Sequence, residues 1–498
     1  MTTTKHENEY YCSEVMKATI TCDEAVSIMK QNQFDKIYEI LSKIYYNEIE
    51  DIKVNLIFCV LEYAMKREYL NDFLSNIVYV FKKLLKNYSL NGLEVQKCLE
   101  IMLKYSEYTD DTNYIEFIEF LRGYFEKYSI SLKFEKYERE ELQGILFSSL
   151  ISMSYGDAIG FLVEGYSIPQ CKEFIENVVE KDLLWNYGVQ FRDDKKPRCV
   201  NKSENSVCFE FGQYTDDTQQ ARELIISIIN NNNTYNGEDY AKRTLALFAN
   251  SGLVKTDLPM VHNDKIVGYG STTKRSMENF SKGIKWNSAS DGKGLGNGAC
   301  MRVGQIGVMF YNDPEKVSEI AKMQAILTHN NRLCIQSSIL IAQACRLAVC
   351  ISKFCKYNIQ SNKEIFCNSL LKYLDDDIGS LIKQIPIEIK KGSIIEFCLN
   401  IGKHYGEPCW SERIGVGTLQ SSIYSLACFL SHPYNIMDCI KMCLSGGGDT
   451  DTVSAMACSI VGAYKGVSVL KDIKYMYMIN DTKRWNSESL RSICKNFI

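Results

Sequence analysis

The apolar positions of this chain recur at helical spacing over most of its length, and polar breaks divide them into segments of ordinary helix size. Near the N-terminus, Phe34, Ile37, Tyr38 and Leu41 follow one another at intervals of three and four residues. This is the periodicity of an amphipathic helix with one buried face. From residue 313 onward almost every segment has the same periodicity, and no run alternates convincingly as a strand does. The pattern therefore predicts an all-α protein.

Changes in this pattern divide the chain into three parts. Residues 1–22 are polar and predict a loose terminus. Residues 23–135 predict a smaller helical N-terminal domain of unknown role. Without any sign of chemistry, we expect it to dock a protein partner or to have a stabilising role. A Thr-Asp-Asp segment at 109–111 stands there between two amphipathic helices, and we interpret it as a helix cap. Residues 136–498 predict a larger helical domain that begins near Glu138.

Composition excludes several classes of function and location. The 498 residues carry a formal net charge of −4, so nothing global indicates nucleic-acid binding. The N-terminus has no apolar core of a signal peptide, and the most apolar window carries polar and charged residues that favour a core helix over a membrane span. The 20 cysteines are scattered and form no Cys-x-x-Cys pair, which favours reduced core thiols. We therefore expect an intracellular, cytoplasmic protein without a membrane or nucleic-acid partner.

The densest group of oxygen atoms that could bind a metal lies at 445–452, where the letters are Ser-Gly-Gly-Gly-Asp-Thr-Asp-Thr. Glycines allow a tight turn and close approach, and the aspartates and threonines supply hard oxygen atoms. Carboxylates at a buried helix start repel one another unless a cation lies between them. Mg²⁺, Mn²⁺ or Ca²⁺ would suit such ligands. Asp and Thr also cap helices without any metal, so this segment alone leaves both interpretations open.

Two further segments carry oxygen atoms beside small residues. The Thr-Asp-Asp segment at 215–217 precedes an apolar helix and, in isolation, is most often a cap. Asp157 lies in an apolar helix seven residues before Glu164, and a buried carboxylate needs a partner or a metal. Gly156 and Gly160 permit that helix to pack closely. Four aspartates from two segments could bridge two metal ions if the segments share one pocket. Zinc is disfavoured, since no His/Cys pair has zinc spacing.

A glycine-rich segment at 292–302 and a histidine complete the set of candidates. The glycine-rich segment precedes an apolar helix, and free N–H groups at such a turn attract phosphate. It is not a P-loop because no Lys-Ser/Thr pair follows its last glycine, and a plain flexible loop is the alternative. His329 ends a predicted helix, where a structural or capping role is the commoner case.

Taken together and in chain order, these segments resemble the ADP-ribosylglycohydrolase family, which includes the dinitrogenase-reductase-activating glycohydrolases and the ADP-ribosylhydrolases. Each motif is short, but five in the family's order are specific. The resemblance covers residues 138–470 and leaves the N-terminal region unmatched. The motifs are Gly156-Asp157-Ala158-Ile159-Gly160 with Glu164, Tyr214-Thr215-Asp216-Asp217-Thr218, Gly296-Asn297-Gly298-Ala299 with Met301-Arg302, Thr328-His329, and Gly447-Gly448-Asp449-Thr450-Asp451-Thr452.

The resemblance implies an orthogonal multi-helix fold around two Mg²⁺ or Mn²⁺ ions. Asp157 would be a structural group behind the ions. Carried over by position, the metal ligands would be Thr215, Asp216, Asp217, Asp449, Asp451 and Thr452. Residues at the ADP-ribose would be Gly296, Asn297, Gly298 and His329. The general base would be Glu164, Asp216 or Asp217.

The chain also departs from the family's pattern. Gln305 stands where the family has proline after its Met-Arg segment, and Asn330 and Asn331 replace a more acidic sequence. A Gly-Tyr-Gly segment at 268–270 stands where some members carry Asp-x-Gly, with that aspartate proposed as catalytic. These differences separate the chain from that subgroup and leave the identity of the base open.

The activity implied by the resemblance is metal-dependent hydrolysis of the glycosidic bond between ADP-ribose and a protein side chain or a small acceptor. Two alternatives remain. The chain could be an inactive ADP-ribose-binding protein of the same fold, or another two-metal hydrolase that acts on phosphate esters. Retention of all six implied ligands argues against the inactive protein. The sequence does not identify the leaving group, which could be arginine, serine, another base or a metabolite.

Overall fold

The computed structural model describes most of the predicted larger domain, namely residues 137–191, 197–203, 207–352, 359–360, 362–408 and 410–497. The predicted loose terminus, the helical domain at 23–135 and the Thr-Asp-Asp segment at 109–111 lie outside the described residues. The division into domains therefore stays a prediction. The described residues are mostly helical, which confirms the all-α class.

Fifteen α-helices follow one another in the described part of the chain, joined by short 3-10 and π-helical turns. In chain order, α1 to α15 are Arg139–Phe161, Ile168–Phe174, Asp216–Asn230, Gly237–Asn250, Ser271–Ser281, Gly304–Met309, Pro314–Thr328, Arg332–Cys350, Lys363–Leu370, Asp376–Lys391, Ile394–His404, Thr418–Ser431, Ile436–Ser445, Thr450–Lys465 and Ser487–Lys495. The apolar periodicity therefore predicted the main helices of this domain.

A small antiparallel sheet was not predicted from the sequence. Its strands are β1 (Tyr187–Phe191), β2 (Pro197–Asn201) and β3 (Phe209–Glu210), in the order β2-β1-β3. The strands have five, five and two residues, which is too short for a convincing alternation. Strand β2 lies in a charged segment at 193–205.

Helices α1 and α14 form the most closely packed pair among the described elements. A Cβ atom on Gly160 would lie 2.3 Å from the carbonyl oxygen of Thr450, and one on Gly156 would lie 2.6 Å from that of Ser454. Only glycine fits where two backbones approach so closely. The Thr450 hydroxyl donates to the Gly160 carbonyl at 2.8 Å. The predicted close packing is thus confirmed, and it holds the end of α1 against the start of α14.

Helix α3 completes the part of the fold that carries the candidate site. Met153 of α1, Ala221 of α3 and Ala455 of α14 meet in a fully buried apolar cluster. Because these contacts lie one or two turns inside each helix, the start of α3 and the start of α14 come to the same side of α1. The two aspartate-rich segments both stand at these helix starts.

The apolar and cysteine-rich segments belong to the protein core. Two helical segments, Arg332–Cys350 and Thr450–Lys471, are long and apolar enough to span a membrane by length and composition alone. Their most apolar windows are 83% and 67% buried inside the protein, as is expected of core helices. Of the described cysteines, all but Cys199 and Cys208 are buried.

We predict that Gly160→Ala destabilises the protein while Gly379→Ala does not. Both glycines lie in helices, but the new Cβ at 160 would meet backbone atoms of Thr450 and Asp451, whereas the one at 379 would make an ordinary contact at 3.4 Å with Leu371. Overpacking against a backbone costs about 1–3 kcal/mol, and an alanine inside a helix contributes up to about 1 kcal/mol relative to glycine. Chemical denaturation measures both, and equal stabilities would contradict the packing described above.

Candidate active site

The start of α3 is held by a buried carboxylate of α1. Asp157 is fully buried, and its oxygens accept the backbone N–H and hydroxyl of Thr215 at 3.0 and 2.9 Å. They also accept the backbone N–H and hydroxyl of Thr218 at 3.2 and 2.6 Å. Because the two carboxylate oxygens of Asp157 accept these four hydrogen bonds, they are not available to bind a metal ion. It orients the segment that carries Asp216 and Asp217, as a residue behind a metal site does.

The start of α14 is shaped by two glycines with left-handed backbone conformations. Gly447 and Gly448 have φ angles of 58° and 75°, which side chains rarely adopt. The turn pairs with the segment after α1, since the Gly165 N–H donates to the Gly448 carbonyl at 2.7 Å and the Gly448 N–H donates to the Tyr166 carbonyl at 2.8 Å. This pairing brings Glu164 next to the aspartates of α14.

Asp449 occupies the N-cap position of α14 but does not cap the helix. Its side chain accepts no backbone N–H of the first turn. By contrast, the N-cap residues Asn236, Asp313 and Asn435 each accept at least one such N–H. One Asp449 oxygen instead accepts a hydrogen bond from the Asn297 amide. Of the two interpretations of this segment, the helix cap is therefore disfavoured for Asp449.

The structure brings the two aspartate segments together. The Thr452 hydroxyl lies 3.4 Å from Asp217 Oδ2. Oxygens of Glu164, Asp449 and Asp451 all lie within 4.8 Å of one another. All six residues of the implied ligand set are at least nine-tenths buried, whereas Glu164 is partly exposed. The six are Thr215, Asp216, Asp217, Asp449, Asp451 and Thr452.

The charges of these carboxylates are not balanced by the protein. Among the described residues, no Lys, Arg or His forms an ion pair with any of the five carboxylates, which are those of Glu164, Asp216, Asp217, Asp449 and Asp451. Burial raises the pKa of Glu164, Asp217 and Asp449 well above their usual range, and neighbouring carboxylates raise them further. Burial likewise raises the pKa of Asp216 to about 7 and that of Asp451 to about 6. Such a cluster is stable when ionised only if cations enter it.

The donor atoms fit a hard divalent cation. No described residue forms a hydrogen bond with the buried Asp217 Oδ1 or Asp451 Oδ1, although a buried oxygen normally has a partner. Every candidate ligand atom is a carboxylate or hydroxyl oxygen, the type that Mg²⁺, Mn²⁺ and Ca²⁺ prefer. The site therefore fits a hard divalent cation in three ways. It has unsatisfied oxygens, its negative charge is uncompensated, and all its candidate ligand atoms are oxygens.

A second acidic cluster provides the contrast. Glu223, His262 and Asp264 also bring possible ligand atoms within 4.8 Å of one another. Here, however, Arg222 contacts both acids, at 2.9 Å from Glu223 Oε1 and 3.5 Å from Asp264 Oδ2, and Arg484 lies 2.6 Å from Asp264 Oδ1. Arginines already neutralise these carboxylates, so the second cluster is an ion-pair network that joins α3 to the C-terminal segment.

The glycine-rich loop lies beside the carboxylates. Its backbone pairs with the segment before α12, where the Asn297 N–H donates to the Val416 carbonyl at 2.9 Å. His329 packs against the loop, and a Cβ on Gly298 would lie only 2.8 Å from His329 Cε1. The glycine-rich segment precedes a helix, as expected, but helix α6 begins only at Gly304. The N–H groups of Gly296 and Gly298 therefore do not belong to the first turn of that helix.

The departures from the family pattern also have places in the structure. Gly268 has a φ of 73°, and a Cβ there would lie 3.2 Å from Asp216 Oδ1, so the Gly-Tyr-Gly segment borders the carboxylates without adding one. Gln305 is buried, and its amide donates to Ser149 Oγ at 3.3 Å. The Asn331 side chain caps α8 by accepting the Leu333 N–H. Gln305 and Asn331 therefore have structural roles.

A family model described as ADP-ribosylglycohydrolase matches residues 140–479. The chain belongs to the ADP-ribosylglycohydrolase family. It is 27% identical over 342 residues to the ADP-ribosylhydrolase ARH3 of Gallus gallus, covering 62% of this chain and 82% of that protein. It is 24% identical over 283 residues to the uncharacterized protein YegU of Escherichia coli (strain K12), covering 54% and 77%. A solved structure named ADP-ribosylglycohydrolase-related protein complex aligns at 18% identity with a TM-score of 0.44, over 72% of this chain and 98% of that one.

Two residues that support the candidate site were missed in the sequence. Gln220 donates to Asp216 Oδ2 at 2.6 Å, and Arg413 donates to the carbonyl of Gly165 at 2.6 Å. Gln220 lies four residues after Asp216 and hence on the same face of α3, a spacing that could have indicated it. Arg413 is more than two hundred residues away from Glu164 in sequence, and no local pattern signals the contact.

We predict that divalent cations stabilise this protein more as pH rises. Carboxylates whose folded pKa is raised above the unfolded value near 4 contribute stability at low pH that is lost as pH rises through about 6 and 7 for Asp451 and Asp216. The metal-free protein should therefore lose stability towards pH 8 at this site. A cation at about a hundred times its Kd adds about 2.7 kcal/mol, and ionised ligands bind it best.

Thermal unfolding with Mn²⁺ or with a chelator, at about pH 5 and about pH 8, measures the effect. Asp451→Asn should remove most of the cation-dependent rise in Tm at pH 8, and Glu210→Gln, on an exposed side chain, should leave it intact. A rise of equal size at both pH values, or one that survives Asp451→Asn, would contradict the assignment of the site.

Proposed function

We propose that this protein is a metal-dependent ADP-ribosylhydrolase that cleaves the glycosidic bond between ADP-ribose and a protein side chain or a small acceptor. The observation that carries the proposal is the cluster of uncompensated carboxylates beside a glycine loop and a buried histidine. Membership of the ADP-ribosylglycohydrolase family and similarity to proteins named ADP-ribosylhydrolase support the same activity. The acceptor released in the reaction is left open between a side chain and a small molecule.

Thr215, Asp216, Asp217, Asp449, Asp451 and Thr452 are the proposed ligands of two Mg²⁺ or Mn²⁺ ions. Bound there, such ions would supply the positive charge that offsets the carboxylates and would polarise the hydroxyls of the ribose next to the scissile bond. Asp157 keeps Thr215 and the start of α3 in place. Asn297 keeps one oxygen of Asp449 turned towards the loop. These contacts preorganise the ligand set before substrate binds.

Glu164 is the proposed general base. It is the carboxylate of the cluster with partial exposure, so it can meet a water molecule and the anomeric carbon of a bound ribose. Burial and the neighbouring carboxylates raise the pKa of Glu164 above its usual range, which increases its affinity for a proton of water. In the step we propose, Glu164 removes a proton from water as the water oxygen bonds to the anomeric carbon. The bond to the acceptor atom breaks, and its electron pair stays on that atom, which takes up a proton from solvent. Glu164 then returns its own proton to solvent.

The loop at 296–298 and His329 are proposed to hold the ADP-ribose. Gly296 and Gly298 have no side chains, so backbone N–H groups can approach a diphosphate closely. The loop is braced by its pairing with the segment before α12 and contacts the carboxylates through Asn297. Bound in this way, the ADP-ribose would extend from the loop towards Glu164.

Unsatisfied carboxylate oxygens distinguish this activity from an inactive binding protein, and the choice of substrate distinguishes it from a phosphoester hydrolase. An inactive ADP-ribose-binding protein would need no unsatisfied carboxylate oxygens, yet Asp217 and Asp451 each have one. A phosphoester hydrolase could use the same ions. It should then act on simple phosphate esters and release no ADP-ribose from glycosides.

We predict that Glu164→Gln lowers kcat by about 10²- to 10⁴-fold and weakens cation binding less than the aspartate substitutions do, because Glu164 lies beside the six proposed ligands without being one of them. Asp216→Asn and Asp449→Asn should lower both. The measurement is release of ADP-ribose from arginine- and serine-modified peptides with Mg²⁺, alongside the cation-dependent rise in Tm. Glu210→Gln serves as the exposed control. Undiminished turnover in both aspartate variants, or turnover of phosphate esters alone, would contradict the proposal.

A further inference from the structure

A buried arginine lies between the carboxylates and the glycine loop, and the proposed chemistry does not use it. Arg302 is 1% exposed, and among the described residues its guanidinium forms no ion pair. Nε donates to Gln324 Oε1 at 2.8 Å, and Nη2 donates to Thr328 Oγ1 at 2.8 Å. Nη1 donates to Gln220 Oε1. A buried charge held only by neutral acceptors is expensive, so its position calls for an explanation.

The arginine decides the direction of the next hydrogen bond. Arginine has donors only, so Thr328 Oγ1 must accept from Nη2. The same oxygen lies 2.8 Å from His329 Nδ1. Among the described residues, Nδ1 is then the acceptor available to the hydrogen of the Thr328 hydroxyl. A proton on Nδ1 would leave this buried hydroxyl hydrogen without an acceptor, and an unsatisfied buried donor is strongly disfavoured.

With Nδ1 as the acceptor, the ring proton of His329 belongs on Nε2. Burial, aided by the charges of Arg302 and Arg275, lowers the pKa of His329 to about 3, so the ring is neutral. Nε2 faces the glycine loop, 3.3 Å from where a Cβ on Gly298 would stand. It forms no hydrogen bond with any described residue. An N–H group thus points to the place proposed for the ligand.

We infer that Arg302 and Thr328 are positioning residues that hold His329 as a neutral Nε2–H donor towards a ligand oxygen at the glycine loop. An anionic phosphate oxygen of the ADP-ribose diphosphate is the acceptor that such a donor fits. The identity of this acceptor rests on the proposed function, whereas the tautomer rests on the hydrogen bonds alone. Gln220 accepts from Arg302 and donates to Asp216, so the same arginine also orients a proposed metal ligand.

The protonation state can be measured in the full-length protein without substrate. The chain has five histidines, so ¹⁵N-histidine labelling gives few signals, and His329→Gln identifies the one of interest. We expect Nε2 to have the ¹⁵N shift of a protonated ring nitrogen and Nδ1 that of an unprotonated one, from about pH 5.5 to about pH 8. An Nδ1–H tautomer or an imidazolium would overturn the inference, even if every variant described below failed to fold.

Two substitutions of Thr328 test the positioning role. Thr328→Val has the same shape without the hydroxyl and should mix the tautomers and weaken ADP-ribose binding by about tenfold. Thr328→Ser keeps the hydroxyl and should preserve the tautomer and bind within about twofold of the natural protein, by calorimetry. The Mn²⁺-dependent rise in Tm should persist in both variants. An unchanged tautomer or affinity in Thr328→Val would overturn the inference.

The two proposals fail in different ways. If His329 has the expected tautomer but the protein neither binds nor releases ADP-ribose, the positioning inference is supported and the proposed function is overturned. If ADP-ribose is released while His329 carries its proton on Nδ1, the proposed function is supported and the positioning inference is overturned.

Discussion

Mutual repulsion among buried carboxylates is the constraint on which this site depends. Glu164, Asp216, Asp217, Asp449 and Asp451 approach one another without a cation of any described residue within ion-pair distance, whereas arginines neutralise the second cluster of Glu223 and Asp264. A protein that needed these carboxylates only for its fold would pair them in the same way. Their unpaired state, together with the unsatisfied oxygens of Asp217 and Asp451, is what a site for divalent cations requires.

The helical scaffold supplies the force that opposes this repulsion. Glycines at 156 and 160 let α1 contact the backbone of α14, and the apolar cluster of Met153, Ala221 and Ala455 ties α3 to the same pair. Asp157 then holds the start of α3 with four hydrogen bonds. Apolar packing in the helix interiors thus keeps the helix starts together. It thereby holds the proposed metal ligands close to one another despite their repulsion.

Much of this arrangement could be predicted from the sequence, because helices repeat their apolar positions and because the motif residues stand at helix starts. The sequence could not decide whether Asp449 caps α14, since a cap and a ligand need the same residue at the same place. The structure separates them by where the side chain points. The short strands around Val189 lacked enough residues for an alternating pattern. Contacts such as Arg302 with Thr328, or Arg413 with Gly165, join distant segments and leave no local signal.

Arg302 supports the site without forming an ion pair with its carboxylates. A buried cation near an acidic cluster would ordinarily pair with it, yet Gln220 stands between Arg302 and Asp216 and relays the interaction through an amide. The carboxylate therefore stays available for a metal, and the arginine can still orient Thr328 and His329. One buried side chain can thus support the metal side and the loop side of the pocket.

The most direct test of the central claim is anomalous diffraction from crystals of the protein grown with Mn²⁺. We expect strong Mn²⁺ peaks among Asp216, Asp217, Asp449 and Asp451, and their loss in crystals of Asp451→Asn. Peaks at Glu223, His262 and Asp264 instead, or an ordered carboxylate cluster without any Mn²⁺ at a saturating concentration, would contradict it.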